Sequence, residues 1–227
     1  MKLHYLLFLL FIIILSCNEG SREKEKEQAT VDIFQILETA EDTLPEPLLP
    51  DTIIDAAYTF DEALKDSEAP ESIISQLELL DVFYISTDGN IHKGQIVTNK
   101  LITDDIIEIF RFMLDEGFVI EKAVPIVRYG WNDSLSMADN NSYSFCYRNI
   151  TYSKHAEGMA IDINPKFNPL RWKNSDKPDE PAGAVSDTTV NGTLHPNHPV
   201  VNEFRRLGFR WGHTFTKYYD DHHFEKR

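Results

Sequence analysis

The sequence predicts an α+β domain: a small antiparallel sheet flanked by helices, with a candidate site on the sheet, set behind a signal segment and an acidic linker. Three observations predict it. Beyond about residue 70, short β-branched runs bounded by turn residues alternate with two stretches of helical period. An unbroken apolar run, Leu6 to Leu15, closes on Ser16-Cys17 at the start of the chain. Between the two, residues 18–70 carry 15 acidic side chains against 4 basic ones.

The start of the chain sets the compartment. Lys2 and the apolar run have the form of a secretory signal, shorter than the roughly 20 residues a membrane-crossing helix needs. Leu15-Ser16-Cys17, after Ile14, resembles the lipobox of bacterial lipoproteins, in which the cysteine becomes the lipid-modified first residue. The resemblance implies an exported protein, anchored to a bacterial membrane through lipid at Cys17. The second cysteine, Cys146, then has no partner for a disulfide, and its flanks Phe145 and Tyr147 mark it as a buried apolar residue of a strand. The net charge of −15 argues against nucleic acid, whose phosphates need a basic face. The acidic tract reads as a solvated tether. The expected parts are a signal peptide over 1–17, a tether over 18–70 and one domain over 71–227, acting as a monomer.

Within the domain, Val82 to Ser86 and Ile91 to Val97 read as strands around the turn Asp88-Gly89-Asn90. Thr103 is placed to cap a helix whose stripe is Ile106, Ile109, Phe110 and Met113, ended by Gly117. Phe118 to Val127 reads as a strand. Asn197 or His198, before Pro199, opens a second helix that Gly208 stops. Phe209 to Trp211 and Tyr218 to Phe224 read as closing strands.

Two segments carry chemistry. In Ser153-Lys-His155-Ala-Glu-Gly158-Met-Ala160-Ile-Asp162, the Asp lies among apolar neighbours. A carboxylate so placed needs a cation or several donors: a zinc ion shared with His155, or an arginine or backbone amides. The second segment is Trp211-Gly212-His213, followed by Asp220-Asp-His-His223-Phe224. Asp220 and His223 fall on opposite faces of a regular strand, so a turn or bulge is needed to bring them together. Two histidines and one carboxylate would leave a coordination position open, and a further carboxylate could move a proton.

Together these segments resemble the zinc peptidase family of bacterial D-alanyl-D-alanine carboxypeptidases and L-alanyl-D-glutamate endopeptidases, VanY-type enzymes included. The family pattern is Ser-x-His-x-x-Gly-x-Ala-x-Asp, then Trp-Gly-Gly, then Asp-x-x-His-Phe. Ser153, His155, Gly158, Ala160 and Asp162 match the first part, Trp211-Gly212 the second, and Asp220, His223 and Phe224 the third. The resemblance implies zinc held by His155, Asp162 and His223, with Asp220 as general base and peptidoglycan stem peptides as substrate. It implies further that Arg148 stabilises the reacting oxygen or grips a terminal carboxylate, and that Ser142, Ser153 and Trp211 contact substrate. Arg128 and Lys166 are further candidates for a carboxylate end-stop. His213 departs from the pattern, standing where the family has its second glycine. The competing expectation is a zinc-containing lipoprotein that binds cell wall or a partner without turnover.

Overall fold

The structure is a computed structural model and describes residues 51–148 and 153–227. The signal segment, its Cys17 and the tether up to residue 50 lie outside the described residues. No helix among the described residues is long and apolar enough to cross a membrane.

A long hairpin forms the frame. β2 (Leu77–Ile85) and β3 (Ile91–Asn99) pair antiparallel from Leu77 opposite Asn99 to Ile85 opposite Ile91. Gly89 supplies the positive φ its turn requires, at +81°. α3 (Thr103–Asp115) lies on the hairpin and buries Ile106, Ile109, Phe110 and Met113, the expected stripe. Its cap is Ile102 rather than Thr103. The Thr103 hydroxyl donates instead to Glu78 Oε2 at 3.0 Å and so tethers the helix start to β2. α5 (Pro199–Arg206) adds Val200, Val201 and Phe204 to the same core. His198 caps it, its Nδ1 accepting the Val200 N–H at 3.2 Å.

The domain boundary expected at residue 70 is too late. β1 (Ile53–Ile54) runs parallel beside β3, and α1 (Phe60–Ala63) starts on a capping box between Thr59 and Glu62. Ala63, Leu64 and Ala69 pack with Leu77, Val97 and Phe145. The acidic residues of this stretch are in part bonded inward: Asp55 accepts from Tyr84 and contacts His92 Nδ1 at 2.9 Å. α2 (Glu71–Ile74) then leads into the hairpin.

A strand over Phe118–Val127 forms only at β4 (Lys122–Ala123), which pairs parallel with β5 (Asn141–Ser142). Pro125 has no N–H for a ladder, and the chain turns into a 3-10 helix at Ile126–Tyr129. α4 (Asp133–Ala138) follows, capped by Asn132. The class is α+β as expected, but the described residues hold four small sheets, two with a parallel pairing, in place of one antiparallel sheet.

The site is built on two of these sheets. β6 (Ala160–Asp162), β10 (His223–Glu225) and β8 (Arg210–Trp211) form an antiparallel sheet in the order β6-β10-β8. β7 (Leu170–Trp172) pairs with β9 (Tyr218–Asp220) beside it. The expected strand over Tyr218 to Phe224 is thus two strands, broken at Asp221-His222. Cys146 is buried, and burial pushes its thiol up to about 11, so it is a core residue.

Candidate metal centre

His155 sits on a 3-10 turn, Lys154–Glu157, ended by Gly158 at φ +68°. A Cβ on Gly158 would stand 2.8 Å from Leu77 Cδ2 and 2.9 Å from the Asn99 amide nitrogen, so only glycine lets the turn rest on the hairpin. The Gly158 carbonyl accepts the Asn99 N–H at 3.0 Å. Asp162 ends β6, where its backbone N–H and carbonyl both bond to Tyr143. His223 opens β10 directly opposite Asp162.

These three residues bring one atom each to a triangle. His155 Nε2 lies 3.1 Å from Asp162 Oδ1 and 3.0 Å from His223 Nδ1, and His223 Nδ1 lies 3.0 Å from Asp162 Oδ1. All three side chains are buried. Ligand atoms about 2.0–2.1 Å from a tetrahedral zinc stand roughly 3.3 Å apart, so the triangle is close to the size a metal ion needs. The outer nitrogens fit as well. His155 Nδ1 donates to the Ser144 carbonyl at 2.7 Å, which leaves the Nε2 lone pair facing the triangle. His223 Nε2 faces Glu225 Oε2 at 3.5 Å and leaves Nδ1 for the same purpose. Two imidazoles and one carboxylate form a donor set that suits zinc and leaves a side open.

The charges agree. Burial opposes ionisation of Asp162, yet His155 and His222 hold it well below the usual carboxylate range. Burial likewise opposes protonation of His223, but hydrogen bonds to Asp162 and Glu225 raise it to about 10. Such a pocket attracts positive charge.

Asp220 and Asp221 have different surroundings. Asp220 lines the cavity over the triangle, about 240 Å³ in volume, with Arg148, Ser153, Glu180, Phe215 and Tyr218 among its walls. Asp221 lies in the strand break itself, where its side chain bonds away from the cavity. Its Oδ2 accepts from Arg171 Nε at 3.0 Å and Nη2 at 2.6 Å, and its Oδ1 lies 2.6 Å from His213 Nδ1. His213 stacks on Trp211 with ring centroids 4.4 Å apart and is not a cavity wall. The departure at His213 therefore fastens the loop behind the site. Gly212 is the glycine the site needs, since a Cβ there would stand 2.6 Å from the Asp220 carbonyl oxygen and 3.2 Å from His223 Cβ.

Arg148 reaches the cavity, with Nη2 3.0 Å from Asp133 Oδ2 and 3.4 Å from the Tyr143 hydroxyl. Of the three end-stop candidates it alone lines the cavity. Arg128 donates to the Asp55 carbonyl, and Lys166 is not a wall. Ser153 lines the cavity, but two other expected substrate contacts do not. Ser142 is fully buried, its Oγ accepting the Asn164 N–H at 3.1 Å. Trp211 is buried, its Nε1 donating to the Asp221 carbonyl at 2.8 Å. Both brace the site from behind. Sequence reasoning missed Asp133, Glu180, Phe215, His222 and Glu225 as walls. Of these only Glu225, two residues after a candidate ligand on the same strand, carried a readable signal.

A buried cluster of two histidines and one carboxylate, open to a cavity that holds a further carboxylate, has the donors that a metal-dependent hydrolase needs. Residues 148–226 match the family model described as D-alanyl-D-alanine carboxypeptidase. The match falls on the stretch that carries the motifs and supplies most of the cavity walls. No curated protein and no solved structure matches the chain.

Proposed function

We propose that this protein is a zinc-dependent peptidase that hydrolyses peptide bonds in peptidoglycan stem peptides, exported and held on a bacterial membrane by lipid at Cys17. The single observation that carries the reading is the ligand triangle of His155, Asp162 and His223 with Asp220 on the wall of the same cavity. A binding protein needs the triangle but has no use for Asp220.

His155, Asp162 and His223 would hold a zinc ion, which would supply a Lewis acid and lower the pKa of a bound water toward about 7. Asp220 takes the proton of the attacking water and returns it to the departing amine. Burial favours its neutral form, but His222 and His223 hold it below the usual carboxylate value, so it starts the cycle as a base. Arg148 stays charged despite burial, with Tyr143 and Asp133 beside it, and offsets the negative charge on the carbonyl oxygen.

Two bonds suit this machinery. If Arg148 takes the substrate's terminal carboxylate, the enzyme is a D-alanyl-D-alanine carboxypeptidase; if it serves the carbonyl oxygen alone, an L-alanyl-D-glutamate endopeptidase. Mass spectrometry of defined stem peptides incubated with the zinc-loaded chain tests the proposal. Release of D-alanine or a split after L-alanine is expected, and intact peptides at full zinc occupancy would overturn it in favour of a binding protein.

A further inference from the structure

We infer that His222 is the positioning residue for Asp220, locking that carboxylate to the rigid floor of the site. The inference rests on the hydrolase reading above, in which Asp220 moves the proton.

The floor comes first. Asn168 is fully buried, and its side chain is saturated. Its Nδ2 donates to the carbonyls of Ile163, Asn164 and Gly192 at 3.1, 3.2 and 3.0 Å, and its Oδ1 accepts the Leu194 N–H at 2.6 Å. Four bonds to two separate stretches, 163–164 and 192–194, fix this side chain. The Asn168 carbonyl accepts from His222 Nδ1 at 2.7 Å. The His222 backbone is fixed too, its carbonyl accepting the Ile163 N–H at 2.9 Å. The imidazole has little freedom left, and its second nitrogen is delivered to one place.

That place is Asp220. His222 Nε2 stands 3.0 Å from Asp220 Oδ1 and 3.9 Å from Asp162 Oδ2. Asp220 Oδ1 is buried and has no aligned hydrogen bond among the described residues. The ring edge therefore meets it in close contact rather than through a linear bond. Because the ring is fixed at its backbone and at Nδ1, its edge limits where the carboxylate can sit. His222 itself stays outside the ligand triangle, whose histidine atoms are His155 Nε2 and His223 Nδ1.

The experiment uses the full chain with His222→Ala, His222→Gln, Asp220→Ala and the double variant H222A/D220A. Crystal structures of the zinc-loaded wild type and H222A, zinc content and stem-peptide kinetics are compared. In H222A the Asp220 carboxylate is expected to leave its place while zinc remains at one per chain. Turnover should fall about 10–100-fold, the range for residues that orient catalytic groups, with KM nearly unchanged. H222Q, whose amide can donate toward Asp220, should recover part of the loss and covers the case in which H222A does not fold. The double variant should be no slower than D220A alone. An unmoved Asp220 carboxylate, losses that multiply in the double variant, or zinc lost from H222A would each overturn the inference. A displaced carboxylate in a chain whose wild type cleaves nothing would uphold the positioning role and sink the hydrolase reading instead.

Discussion

His223 stands directly across the antiparallel sheet from Asp162, and this register sets their ligand atoms 3.0 Å apart. Paired residues on adjacent strands put their side chains on one face, with Cβ atoms about 4.5–5.5 Å apart. A slip of one residue would send Phe224 to the site and His223 to the core. The register is held by Phe224, which stacks on Phe204 at 3.7 Å between centroids.

The first prediction concerns the triangle. His155→Ala and Asp162→Asn are each expected to lose stoichiometric zinc after dialysis, measured by atomic emission. Asp220→Ala should keep it. Zinc retained at one per chain in H155A would remove His155 from the ligand set.

Gly158→Ala should be costly although it adds one methyl group. The residue has φ +68°, and the new Cβ would press on the Asn99 amide nitrogen. A loss of about 1–3 kcal/mol is expected by chemical denaturation, with weaker zinc binding because His155 rides on that turn. Wild-type stability in G158A would contradict the role given to this contact.

The adjacent aspartates should separate by phenotype. Asp221→Ala strands Arg171 and His213 and is expected to cost about 1–3 kcal/mol, less than a fully buried pair because Arg171 is partly exposed. Asp220→Ala should leave the denaturation midpoint nearly unchanged and abolish turnover. The reverse pattern would exchange their roles.

A pH dependence is expected far from the site. Burial works against charging His92, but its bonds to Asp55 and Asp88 outweigh this and raise its pKa. A raised folded pKa stabilises fully below the unfolded value of about 6.5, and the contribution is lost as pH rises through the raised pKa. Asp55 belongs to the stretch beside β3, with its N–H bonded to the Lys93 carbonyl at 2.9 Å. Amide exchange at Asp55, corrected for intrinsic rate, should therefore accelerate as pH rises above about 6.5 and through the raised His92 pKa. The acceleration should be absent in His92→Gln, and a flat profile in the wild type would contradict it.

The part of the site legible in the sequence is the part with local spacing. His155, Gly158 and Asp162 lie in one turn-and-strand unit, and the structure brings His155 Nε2 to 3.1 Å from Asp162 Oδ1. Which of Asp220 and Asp221 lines the cavity, and which of His222 and His223 joins the triangle, depends on where the strand breaks, which propensity does not fix. Ser142 and Trp211 were misassigned because sequence pattern carries no burial: a polar side chain can face a substrate or a backbone N–H. Residues 51–70 read as tether because their elements are too short for periodicity, although Thr59 and Glu62 spell a capping box. Long-range pairing, such as Ile53–Ile54 beside His92–Lys93, is invisible to any local window.

In the proposed reaction a zinc site and Asp220 together cut stem peptides. Its most direct test is stem-peptide cleavage, followed by mass spectrometry, with wild type and Asp220→Ala each verified to carry one zinc per chain. Cleavage by the wild type and a loss of at least about 100-fold in D220A is the predicted result. Equal cleavage by both chains, or none by a fully loaded wild type, would contradict it.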